Sequence, residues 1–183
     1  RVVENGTFLD NFQIAPVLGP NHFIALDDRA VRRKYGLPDE LRPPKLEDDS
    51  GRAHHYFRHD SDYVNAEITV TSAADQVIVA PGYKVDEKVE NGRRTAHFKT
   101  DAPIHNFFSI QSARYAVGED RWNDVELAVY YHPDHPYNVR RMLNSMKASL
   151  DYFSKNFSPY QFRHLRIVEF PAYMTFAQAF PGT

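Results

Sequence analysis

Nine histidines in 183 residues make metal-assisted hydrolysis the first chemistry to test. The motif that pairs two helical zinc ligands with a general base, His-Glu-x-x-His, needs a His followed directly by Glu, and none of the nine is. His55 and His59 stand one helical turn apart, but Tyr56-Phe57-Arg58 lie between them in loop-like sequence and no third ligand follows, so a structural or surface role outweighs metal binding. His132 and His135 alternate with Pro133 and Pro136, where turn and capping roles account for them. Covalent catalysis lacks its nucleophile: there is no Gly-x-Ser-x-Gly elbow and no cysteine. The glycines are scattered singly, so no phosphate-cradling loop can be drawn. Asp48-Asp49, Asp60, Asp62 and Glu87 offer carboxylates for acid–base work, but their spacing does not pair them, and charge runs in loops are normally solvated.

Binding chemistry is little better provided. Arg29, Arg32, Arg33 and Lys34 make a basic stretch, yet Asp27 and Asp28 balance it, and the whole chain carries a formal net charge of -2. That balance speaks against nucleic acid and anionic membranes as partners. Phe107-Phe108, Tyr130-Tyr131 and Tyr152-Phe153 could line a carbohydrate or peptide groove, although such aromatics more often fill the core of a β-rich fold. Asn5-Gly6-Thr7 fits a glycosylation acceptor, and a turn-forming Asn-Gly explains it equally well. The absence of cysteine excludes disulfides and leaves the cellular compartment open. No run of about 18 apolar residues is present, so the sequence predicts no membrane-spanning helix.

The elements that must position these groups are mostly strands. Asn5-Gly6 signals a hairpin near the start. Asp27-Asp28, then Ala30 to Tyr35, then Gly36 and Pro38 predict a short solvated helix, and residues 37–51 an irregular loop. Ile68 and Val70 alternate with Glu67, Thr69 and Thr71, the two-residue period of a half-buried strand. Further strands are predicted at Val77 to Ala80, Tyr83 to Val89, Thr95 to Lys99, Phe107 to Val117 and Val125 to Tyr131. Asn91-Gly92 turns the central hairpin, whose uneven arms suggest a bulge. From Pro136 the period becomes helical, with Val139, Met142, Leu143, Met146, Leu150, Phe153 and Phe157 on one stripe. A strand follows at Leu165 to Phe170. The reading is a mainly β chain: an antiparallel β-sandwich or saddle-like sheet, then a helix and strand that begin an α/β region. Residues 1–133 form the β-rich unit and 134–183 start a second one.

Taken in order, Ala66-Glu67-Ile68-Thr69-Val70, Val79-Ala80-Pro81-Gly82-Tyr83-Lys84-Val85 and Arg94-Thr95-Ala96-His97-Phe98-Lys99-Thr100-Asp101-Ala102-Pro103 resemble the N-terminal β-saddle of the zinc aminopeptidase family that includes aminopeptidase N. The resemblance continues through Met142 to Phe153, Phe157-Ser158-Pro159-Tyr160 and Leu165 to Pro171, which look like the first catalytic-domain helix and strand. Asn5-Gly6-Thr7-Phe8 and the segment around Ile14-Ala15-Pro16-Val17-Leu18-Gly19 look more like the variety fused to transporter-type membrane segments. One stretch departs: where the family carries a Phe-Asp-Glu-Pro-like sequence, this chain has Arg58-His59-Asp60-Ser61-Asp62-Tyr63-Val64-Asn65.

The resemblance implies a parent that binds zinc and removes N-terminal residues from peptides, with the rest of that parent as this chain's partner. The family's Gly-x-Met-Glu-Asn loop would fall at or just beyond Ala177 to Thr183, where it is not present, and the zinc ligands further downstream, so this chain itself is expected to hold no metal and no catalytic residue. Gln178, Ala179, Phe180 and Gly182 would approach the rim of the substrate cleft. With no initiating Met at Arg1, the chain reads as a piece whose incomplete sheet would tend to self-associate. Two other readings stay open: a non-enzymatic peptide- or protein-binding module on this scaffold, which the departure at 58–65 favours, and an extracytoplasmic structural domain of a membrane transporter.

Overall fold

The structure, a computed structural model, describes residues 2–3, 6–14, 26, 28–38, 45, 47–49, 63–171 and 176–183. The chain is mainly β. It opens with β1 (Val2–Val3) and β2 (Gly6–Asp10), paired antiparallel with Val3 opposite Gly6. The hairpin is present, but Gly6 sits in the strand, where a Cβ would come within 2.6 Å of Ala113 Cβ; Asn5 lies outside the described residues. The short α1 (Asn11–Ile14) buries Asn11, whose amide donates to the Asn106 carbonyl and side-chain oxygens at 3.0 Å.

The helix α2 (Arg29–Lys34) starts where an N-cap predicts it, with the Asp28 carboxylate accepting from the Val31 N–H at 2.8 Å. It is mostly exposed, as its sequence suggests, with one exception. Arg32 is buried, and its guanidinium donates from Nε to the Pro38 carbonyl and from Nη1 to the Leu26 carbonyl, both at 2.6 Å. A side chain read as part of a basic tail therefore ties down the chain on both sides of the helix.

The short β3 (Tyr63–Val64) precedes β4 (Glu67–Ala73), β5 (Val77–Val79), β6 (Tyr83–Glu90) and β7 (Arg93–Lys99). β6 and β7 form the hairpin that Asn91-Gly92 predicts, Glu90 opposite Arg93, with the two turn residues at φ 52° and 71°. The uneven arms are explained by a register shift between Lys84 and Asp86. β4 pairs with β7 to complete an antiparallel sheet ordered β4-β7-β6. Its inner face contributes Ala96 and Phe98, which pack with Ile78 and Ala80 in one buried cluster.

After β8 (Ile104–His105), which pairs with β3, come β9 (Ser109–Ala113) and β10 (Ala116–Trp122). The sequence predicts one strand here; the structure breaks it at Arg114-Tyr115 and sends the two halves to different sheets. β9 lies between β2 and β5, giving the order β1-β2-β9-β5, while β10 pairs with β11 (Val125–Tyr131). The 18-residue helix α3 (Val139–Asn156) follows, and then β12 (His164–Val168), parallel to β11. Pro136 precedes the helix rather than occupying its first turn.

The α3 stripe explains why this helix packs as it does. Leu143, Met146 and Leu150 are buried against Val125, Leu127 and Val129 of β11, and each such side chain contributes about 1.5–3 kcal/mol of burial. Gly118 of β10 lets the helix come close, since a Cβ there would meet Val139 Cγ1 at 2.5 Å. At the rim, Asp120 receives Lys147 Nζ at 2.6 Å and Arg140 Nη1 at 3.1 Å, and Trp122 Nε1 donates to Asp151 at 2.8 Å. The stripe overruns its sheet: Phe153 and Phe157 belong to it by spacing but are exposed. Among the described residues, no helix is long and apolar enough to cross a membrane.

Candidate functional site

Alternation gives β11 and β12 two unlike faces. One carries Val125, Leu127, Val129 and Leu165 against α3. The other carries Glu126, Ala128, Tyr130, His164 and Arg166, and it borders a cleft of about 560 Å³ whose opposite wall is Val77, Ile78, Val79, Tyr83 and Phe98. Beside this cleft is the buried turn between β5 and β6, Pro81-Gly82, which only an unusual backbone can form. Gly82 has φ +87°, and a Cβ there would sit 2.5 Å from the Lys99 carbonyl carbon and 2.7 Å from the Thr100 nitrogen.

Three side chains converge on that turn. Arg166 donates from Nη1 to the Ala80 and Gly82 carbonyls and from Nη2 to the Gly82 carbonyl, all at 3.4 Å. Burial lowers its pKa, while Tyr130, Tyr83, Glu126 and Tyr160 pull the other way. His164 Nε2 lies 3.2 Å from the Gly182 carbonyl, and its Nδ1 is buried with no partner among the described residues. Burial, with the Arg166 charge second, pushes the imidazole down to about 4, so it is neutral near pH 7. Tyr83 packs edge-on to His164 at 4.6 Å and accepts from the Arg163 backbone N–H at 2.9 Å, with the Arg163 guanidinium 4.7 Å from its ring centre. Tyr160, whose hydroxyl donates to the His164 carbonyl at 3.0 Å, is pushed up to about 12 by burial. No proton-transfer partner pair emerges, because the neutral imidazole and the raised phenol both hold backbone carbonyls.

Residues 176–183 reach this region from the far end of the chain. Gly182 is buried and its carbonyl accepts from the Gly82 N–H at 2.6 Å. Phe180 stacks near Phe8 and Phe107, with ring centres 6.1 and 5.1 Å away, in a cluster that includes Phe170 and Phe176. Gln178 and Ala179 are exposed, and the Gln178 amide donates to the Ala179 carbonyl at 2.9 Å. Of these four sequence-selected residues, two are structural anchors and two face outward.

The remaining candidates scatter. His135 Nδ1 lies 2.6 Å from Glu169 Oε1, and the other oxygen of that carboxylate accepts from the His132 N–H at 2.8 Å, a turn-holding arrangement as the prolines suggest. Glu87 is paired with Lys84 and Arg94 on the β6–β7 hairpin. Asp48 and Asp49 are exposed, and His55, His59, Asp60 and Asp62 lie outside the described residues. Tyr130 lines the cleft, Tyr131 packs against the α3 core, and Tyr152 and Phe153 are exposed. Among the described residues no three His, Asp or Glu side chains are placed to hold a metal ion, so they do not fit zinc and no chemical step is assigned to one. Sequence spacing missed His164 and Arg166, since nothing in His-Leu-Arg-Ile-Val marks its polar members as facing a buried turn.

No family model matches the chain, and no curated protein matches it. Solved structures do. A mutant of a two-domain M1 zinc metallopeptidase bound to L-arginine aligns with a TM-score of 0.53 at 18% identity, over 60% of this chain and 27% of that one. A mutant M1 zinc metallopeptidase from Deinococcus radiodurans bound to a Tyr-Ser-Ala substrate aligns with a TM-score of 0.52, at the same identity and coverage. At this identity the likeness is one of fold, and the aligned part is about a quarter of each neighbour's length.

Proposed function

We propose that this chain is the non-catalytic, β-rich front part of a zinc-dependent aminopeptidase-like protein, which removes N-terminal residues from peptides through groups carried elsewhere in the parent. The observation that carries this reading is the fold likeness to metallopeptidases over 60% of the chain, joined to the same order of sequence motifs. The role of this part is scaffolding. Residues 176–183 are held in place by Phe180 against Phe8 and Phe107 and by Gly182 on the Gly82 N–H, leaving Gln178 and Ala179 to face a peptide at the cleft rim. In this reading residues 1–133 form the β-rich unit and 134–183 begin the unit that continues in the parent. The rest of the parent chain is the partner, and zinc belongs to that part.

The reading is tested by determining the parent's sequence after Thr183 and assaying the purified 183-residue chain. A downstream His-Glu-x-x-His with a later Glu ligand supports it; a frame without them overturns the peptidase parent and leaves a binding module. The chain alone is expected to hydrolyse no aminoacyl-4-nitroanilide and to retain no stoichiometric zinc after dialysis. Chelator-sensitive turnover by this chain would overturn its non-catalytic role.

A further inference from the structure

Arg166 is a half-buried cation with few close partners in the protein. Its partners among the described residues are two carbonyl oxygens at 3.4 Å, the outer limit of hydrogen bonding, and neither engages Nε. A guanidinium has five N–H donors in a planar fork suited to a carboxylate, and no carboxylate among the described residues forms an ion pair with it. Glu126 influences it electrostatically but makes no ion pair with it. Asp120, which also borders the cleft, is already engaged by Lys147 and Arg140. Removing a charge from water without a close counter-charge is costly, and fixed cations of this kind in clefts are where ligands bind.

The surrounding cleft has the size and lining for one. Its volume of about 560 Å³ falls in the range of small-molecule sites. Val77, Val79 and Phe98 supply apolar wall, and the phenols Tyr83 and Tyr130 stand near the guanidinium as hydrogen-bond donors for a second oxygen. We propose that this cleft binds a small carboxylate carried on an apolar body, with the carboxylate seated on the Arg166 fork and the body against the β5 and β7 side chains. The ligand is thus chosen by charge at one end and by shape at the other.

The test uses the whole 183-residue chain titrated with phenylacetate, phenylacetamide and acetate, followed by ligand-observed NMR and calorimetry. Phenylacetate is expected to bind at least about tenfold more tightly than its amide, because a charge-assisted fork is lost in the amide. Acetate is expected to be about tenfold weaker as well, because it leaves the apolar wall uncovered. Arg166→Gln should abolish the preference for the acid over the amide. Arg166→Lys, which keeps the charge but not the fork, should retain only part of it. Equal binding of phenylacetate and phenylacetamide to the unaltered chain, or no binding of either, overturns the proposal whether or not the variants fold. Equal binding of acetate and phenylacetate overturns the apolar half of it.

Discussion

Replacing Gly82 by Ala tests the tightest point of the fold. Two penalties arise, and they can be separated. The first is conformational: at φ +87° an L-residue costs about 1–2 kcal/mol. The second is steric, since the added methyl would lie 2.5 Å from the Lys99 carbonyl carbon and 2.7 Å from the Thr100 nitrogen, both backbone atoms that cannot rotate away. Relief requires the turn to withdraw from the end of β7, which disrupts the Gly82 to Gly182 hydrogen bond and the Arg166 contacts, each worth roughly 1 kcal/mol. The total expected loss is about 3–5 kcal/mol, at the severe end for a single substitution. Gly36→Ala provides the control, with φ +67° and nothing within 4 Å of the added methyl, so it bears only the first penalty. Urea unfolding followed by circular dichroism should show both variants with unchanged m-values, the Gly82→Ala protein less stable than the control by about 2–3 kcal/mol or failing to fold. If the two substitutions cost the same, the close approach of this turn to Lys99 and Thr100 is wrong, and with it the anchoring of residues 176–183.

Three further outcomes are expected. His164 has its pKa depressed to about 4 from an ordinary 6.5, so the unfolded chain binds a proton in that interval that the folded chain does not. Stability is then full above about pH 6.5 and falls by about 3 kcal/mol as pH drops to about 4, a slope that His164→Gln should remove; a variant with the same slope would dissociate it from this residue. Arg32→Met should cost about 2–3 kcal/mol in urea unfolding through loss of two charge-assisted bonds to the Leu26 and Pro38 carbonyls, while Arg141→Met, at an exposed position of α3, should cost under about 1 kcal/mol; equal effects would refute the anchoring role. Tyr152, Phe153 and Phe157 form an exposed aromatic patch on α3, and light scattering should show concentration-dependent association that Phe157→Ser weakens, whereas a monomer at all concentrations removes that expectation.

Local rules made much of the fold legible. The Asn91-Gly92 turn, the bulged β6 arm, the alternation of β4 and the Asp28 cap are each determined within a few residues, and each stands where the sequence puts it. What was not legible depends on distant partners. Residues 107–117 look like one strand because every residue tolerates extended backbone, yet the side chains at the break are claimed by opposite parts of the molecule: Arg114 by Asp75 and the Tyr115 hydroxyl by the Glu169 carbonyl. Arg32 read as a solvated base because a helical pattern cannot show that its neighbours' carbonyls need donors. The candidate site fared least well, since Arg166 and His164 owe their environment to a turn more than 80 residues away.

That long-range dependence also explains why the end of the chain bears on its middle. Gly182 holds the turn at Gly82 from one side, Arg166 holds it from another, and Phe180 inserts between Phe8 and Phe107 of the first sheet's neighbourhood. The β10-β11-β12 sheet and the β5–β6 turn therefore meet through backbone carbonyls, the Arg166 cation and the packing of Tyr83 on His164 and Arg163. Such a junction fixes geometry with few contacts, and Arg166, Tyr83 and His164 also line the cleft. Arg166 and Gly182 thus hold the same turn from two parts of the chain, and if the proposed carboxylate draws Arg166 off the Ala80 and Gly82 carbonyls, the Gly182 bond is left as the turn's remaining long-range anchor of this kind among the described residues.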